Sequence, residues 1–125
     1  MNESDLKQRT KQFGLQMMRL VDALPNTVSG RAIANQLVRA GTFVGANYRA
    51  ACRARSGAEF TAKLGVVVEE ADECAYWLEL IADGGLLPQN QVEPLLKEAN
   101  ELTAVMVASI LTVQSNLKLQ IKNQK

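Results

Sequence analysis

The chain has 125 residues with 14 Lys and Arg against 13 Asp and Glu, a formal net charge of +1 that gives no overall electrostatic reason to bind nucleic acid. It contains no histidine, which removes the commonest general base, the usual transition-metal ligand and every Ser-His or Cys-His pairing, and so argues against an enzyme and against a bound metal or cofactor. The length suits one domain over residues 1–125 that buries its own core, and Cys52 and Cys74, which lack knuckle or redox spacing, are expected as reduced core thiols.

The amino terminus, MNESDLKQRTKQFGLQMM, mixes both charge signs and has no apolar leader segment. No apolar run reaches bilayer-crossing length, so a soluble, untargeted, cytoplasmic protein with no membrane partner is expected. Punctuation falls at LPNTVSG (24–30), RSG (55–57) and DGGLLPQN (83–90), leaving four segments of helical period. The first repeats Leu6, Phe13, Met17, Leu20, Val21 and Leu24, with Ser4 as its cap; the second repeats Ile33, Leu37, Ala40, Val44, Tyr48 and Ala51 after Thr27 or Ser29. The third repeats Phe60, Leu64, Val67, Ala71, Leu78 and Ile81 after Ser56. The fourth repeats Val92, Leu95, Ala99, Leu102, Met106, Ile110, Val113 and Leu117, with Asn90 and Glu93 as a capping box. One apolar stripe on each of four segments joined by short loops predicts an all-α, antiparallel up-and-down four-helix bundle.

Charge separates within the central hairpin. The second helix region carries five arginines and no acid; the third carries seven carboxylates and one lysine. At 100° per residue Arg39, Arg49 and Arg53 fall opposite the apolar stripe and Phe43 falls well off it, while Val66, Trp77 and Leu80 lie away from the third helix's stripe among Glu70 and Glu73. One reading lets Trp77 and Phe43 bend into inter-helix grooves. The other makes Phe43, Val66, Glu70, Glu73, Trp77 and Leu80 a homo-oligomer interface, with arginines on a second face that meets it head to tail. Gly41 and Gly45 share a helix side, where another backbone can approach closely and offset a helix penalty of about 1 kcal/mol each. Asn47, at the edge of the stripe, is expected to hydrogen-bond to a neighbouring helix and fix register.

The segment QLVRAGTFVGANYRAACRARSGAEFTAKLGVVVEEADECAYWLELI, residues 36–81, resembles the bacterial four-helix bundle proteins of the ribosomal RNA intervening-sequence family. The matching elements are Gln36, Leu37 and Arg39, the VGAN at 44–47 followed by Tyr48 and Arg49, Ser56, Phe60, Lys63, Leu64, Glu70, Ala71 and Glu73, and YWLEL at 76–80. Ala50 departs from the usual glutamate, and Gly41, Phe43 and Arg55 also differ from the common pattern. The resemblance implies a homopentameric ring without established catalysis. It also implies similarity to the accessory variability determinants of diversity-generating retroelements, pentamers that bind nucleic acid and a reverse transcriptase through basic surfaces.

The expected function is therefore a non-enzymatic, ring-forming binding or scaffold module whose partner is RNA, DNA or a nucleic-acid enzyme, with Arg39, Arg49 and Arg53 either facing phosphate or pairing between subunits with Glu70 and Glu73. The competing reading is a magnesium-dependent nucleotide pyrophosphohydrolase-like enzyme using Glu70 with Glu73 and Glu98 with Glu101; solvated acidic faces or intersubunit salt bridges are the simpler account of both pairs. Basic residues at both termini (Lys7, Arg9, Lys11; Lys118, Lys122, Lys125) are expected to be solvated or to meet at the bundle ends.

Overall fold

The computed structural model describes residues 1–123. Lys125 lies outside them. The four helices are α1 (Glu3–Asp22), α2 (Val28–Cys52), α3 (Gly57–Asp83) and α4 (Gln89–Asn123). Consecutive helices pack side by side and α1 closes the bundle onto α4, the thinnest of the four seams.

Local chemistry sets the ends. Asn2, rather than Ser4, caps α1: its Oδ1 accepts from Asp5 N at 2.8 Å and its own N donates to Asp5 Oδ2 at 3.3 Å, a complete capping box. Thr27 Oγ1 accepts from Gly30 N at 3.1 Å, and Ser56 Oγ from Glu59 N at 3.1 Å. α3 ends in a Schellman arrangement, with Leu86 N donating to Ile81 O, Gly85 N to Ala82 O, and Gly85 at φ 69°, a conformation that favours glycine. α4 starts at Gln89, so Asn90 sits inside its first turn instead of capping it.

The core follows the predicted stripes. Phe13, Met17, Leu37, Val44, Leu64, Leu78, Ile81, Leu102 and Met106 are fully buried, and each such side chain contributes about 1.5–3 kcal/mol on leaving water. Thr10 joins them because its hydroxyl donates to Leu6 O at 2.8 Å, which satisfies the only buried side-chain polar group of α1. Burial on α4 stops at Met106. Ile110, Val113 and Leu117 are only half-buried, and Leu111, Leu119 and Ile121 are exposed. An 18-residue window of α4 reaches a mean hydropathy of 1.3, sufficient by length and composition to span a bilayer, which corrects the expectation that no segment does so. Scattered Thr, Ser, Gln and Asn interrupt the run of apolar residues there without lowering the average enough.

The glycines of α2 are used within the chain. A Cβ at Gly41 would stand 2.5 Å from Met17 Cγ, one at Gly45 would meet the Thr10 carbonyl at 3.3 Å, and one at Gly14 of α1 would meet Gly41 O and the Thr42 Cα at 3.6 Å. The close neighbour of this side of α2 is therefore α1 of the same chain. Asn47 likewise turns inward on its own helix, donating from Nδ2 to Phe43 O at 2.9 Å, and bonds no other helix among the described residues.

Candidate functional site

Val66, Glu70, Glu73, Trp77 and Leu80 advance by steps of three and four and form one strip along α3. Beside it α2 presents Arg39 and Phe43, with the guanidinium carbon 5.3 Å from the ring centroid, a cation–π contact. Trp77 Nε1 donates to Glu73 Oε1 at 3.2 Å, and Tyr76 meets the indole edge-on with centroids 5.2 Å apart. Trp77 packs its inner edge against the core and remains half-buried, while Phe43 is 40%, Val66 39% and Tyr76 54% exposed. Trp77 thus leans into the bundle, as the groove reading expects, and keeps an outward edge.

Glu70 and Glu73 form no ion pair among the described residues. Burial raises the Glu70 pKa above its ordinary 4.5, the Glu73 charge raises it further, and Arg39 partly opposes both. The folded chain then holds the proton more tightly than the unfolded one, so the Glu70 contribution to stability falls as pH rises from 4.5 through the raised value. Glu70→Gln is expected to flatten this part of the stability profile, read from urea midpoints of the dilute protein between about pH 4 and 7. An unchanged profile would show that the carboxyl is solvated as freely as in the unfolded chain. The same two carboxylates act on Cys74, whose thiol is pushed up to about 12 chiefly by burial and so is inert.

The three candidate arginines do not form one patch. Arg39 stacks on Phe43, Arg53 is the C-cap of α2, and Arg49 turns to the other side of α2, into a groove of about 710 Å³ between α1 and α2. That groove was not read from the sequence. Its floor is made by the close approach at Gly14 and Gly45, its walls carry Lys7, Lys11 and Arg49 against one acid, Asp5, and one end is lined by Leu15 and Met18. The available signal was the glycine of the first helix facing those of the second, with Lys7 and Lys11 one turn apart beside it.

Glu98 and Glu101 are held by Arg9 across the α1 and α4 seam. Arg9 Nε donates to Glu98 Oε2 at 2.7 Å, Nη2 donates to Glu98 Oε1, and Nη2 also reaches Glu101 Oε2 at 2.8 Å. The hydrogen bond to Glu98 holds the guanidinium pKa above its ordinary value, against the opposing effect of burial. A cationic side chain therefore stands where a magnesium ion would have to sit, and this terminal arginine is a seam residue instead of a solvated one. Glu70 and Glu73 lack a third partner: among the described residues no group of three or more His, Cys, Asp or Glu side chains could hold a metal ion.

A family model described as "23S rRNA-intervening sequence protein" matches residues 2–108. A solved structure from Bacteroides thetaiotaomicron, described as a protein of unknown function from the S23 ribosomal protein family, is 30% identical with a TM-score of 0.79, covering 84% of this chain and 97% of its own. No curated protein sequence matches the chain. With the match running from the α1 cap into α4 past the last buried residue, Met106, the chain belongs to the 23S rRNA-intervening sequence protein family.

Proposed function

We propose that this protein is a non-enzymatic scaffold that assembles into a homopentameric ring in the cytoplasm and binds RNA, DNA or a nucleic-acid enzyme. The observation that carries the reading is the arginine set of α2 and its C-terminal loop: Arg31, Arg39, Arg49, Arg53 and Arg55 make no ion pair among the described residues. Cations left free on a near-neutral protein are available to phosphate, whose neutralisation releases counterions and supplies most non-specific affinity. The proposal includes a likeness to the accessory variability determinants, under which the partner is nucleic acid or a reverse transcriptase. The paired glutamates do not favour the hydrolase reading, because one pair is already neutralised by Arg9 and the other has two carboxylates alone.

Fluorescence anisotropy with a mixed RNA and DNA pool tests the binding arm. Binding at low salt is expected to weaken steeply as salt rises, and Arg39→Ala/Arg53→Ala is expected to reduce the slope of log K against log salt by about 2. No detectable binding at low salt would remove nucleic acid as the direct partner.

A further inference from the structure

Two exposed surfaces on adjacent faces of the bundle each carry charged side chains that form no ion pair among the described residues. The groove between α1 and α2 holds Lys11 and Arg49, neither of them in an ion pair, while Lys7 beside them already bridges Glu3 at 3.4 Å. The α3 strip holds Glu70 and Glu73, also without an ion pair, flanked by Trp77 and by Leu80 at 36% exposure. Both surfaces are graded along their length in the same sense. On α1 the basic end at Lys7 and Lys11 gives way to Leu15 and Met18 about two turns later; on α3 the acidic pair gives way to Trp77 and Leu80 over about the same two turns. Each surface spans fifteen residues, Ser4 to Met18 on α1 and Val66 to Leu80 on α3, or about 21 Å of helix.

We propose that the groove between α1 and α2 receives the α3 strip of a second copy, pairing Glu70 and Glu73 with Lys11 and Arg49 and seating Trp77 and Leu80 on Leu15 and Met18. The match of gradients runs the neighbour's α3 parallel to α1. Because the two surfaces are different and lie on adjacent faces, every copy offers one of each, and the contact is heterologous: it repeats from copy to copy, and closes into a ring where the rotation between neighbours divides a full turn. The other unpartnered apolar surface, the end of α4, carries Lys118 and Lys122 and so lacks the charge to fill a basic groove. Burying Glu70 beside Lys11 and Arg49 also supplies the counter-charge that Arg39 provides only in part. Arg49 is thereby assigned to the subunit contact, which leaves Arg39 and Arg53 to phosphate. The inference rests on the assembling reading given above.

Charge reversal tests it on the full chain at micromolar concentration by sedimentation and native mass. Lys11→Glu/Arg49→Glu and Glu70→Lys/Glu73→Lys are each expected to reduce the particle to a single chain with unchanged helical circular dichroism. The variant carrying all four changes is expected to reassemble to the wild-type mass. If one reversal fails to fold, oxidation of a mixture of Met18→Cys and Leu80→Cys chains, in a Cys52→Ser background, is expected to give a crosslinked dimer that neither chain gives alone; absence of that dimer overturns the proposal. A wild-type mass retained by both reversals overturns this contact while leaving assembly intact. Retained mass with lost RNA binding in the groove variant assigns the groove to nucleic acid and overturns it too. A wild-type single chain would defeat the assembling reading itself.

Discussion

Gly41→Ala is expected to destabilise the protein by about 1–3 kcal/mol, although alanine is the better helix former by about 1 kcal/mol. The sign is decided by space. The new Cβ would lie 2.5 Å from Met17 Cγ and 2.9 Å from Met17 Cβ, atoms near the backbone of a fully buried residue that has no free volume to move into. Relief would require α1 and α2 to separate at the point where Gly14 and Gly45 hold them together, so the strain spreads along the seam. Gly65→Ala is the matched control. Nothing lies within 4 Å of its Cβ position, and there the same exchange is expected to stabilise by about 0.5–1 kcal/mol through helix propensity and the loss of unfolded-state freedom. Urea denaturation of the two variants reads both signs; two shifts in the same direction would show that propensity, not packing, governs Gly41.

Arg9→Met is expected to cost about 1–2 kcal/mol. The substitution keeps an apolar stem but removes a guanidinium that donates to both oxygens of Glu98 and to Glu101, leaving two carboxylates side by side on α4 without a counter-charge, at the seam with the fewest other contacts. Side-chain exposures of 23% for Arg9 and 24% for Glu98 keep the estimate well below that of a buried pair, and Glu101 at 49% contributes less than Glu98. A double-mutant cycle with Glu98→Gln should return a coupling of about 1 kcal/mol, larger than the cycle with Glu101→Gln. Amide exchange should rise in α1 ahead of α2 and α3, because α1 is held on one side by this seam. A variant within 0.3 kcal/mol of wild type, about the error of such a cycle, would show that α1 is secured by its apolar face against α2 alone.

Four helices, their loops and nearly all of the core were legible because helical period, capping residues and glycine punctuation act over a few residues and need no knowledge of neighbours. Small local errors had local causes: Asn2 outcompetes Ser4 because Asp5 completes its box, and Asn90 lies two residues too late to cap α4, which starts at Gln89. The α3 strip was legible as well, since residues at steps of three and four must share a face whatever the fold. Its meaning was less so. Asn47 and the paired glycines carried a correct signal of close approach or hydrogen bonding, but the sequence does not name the partner, which is Phe43 O for the amide and α1 for the glycines.

The helices, their inward faces and the division of charge between α2 and α3 are set by residue spacing alone, because each of these follows from the order of side chains along one chain segment. The packed bundle, and not the spacing, makes Arg9 neutralise Glu98 and Glu101, turns Arg49 away from Arg39 to line a groove, and ends burial on α4 at Met106. Each depends on the height and rotation of one helix against another, set by how large and small side chains interlock across a seam, and that information is carried by pairs of segments far apart in the chain.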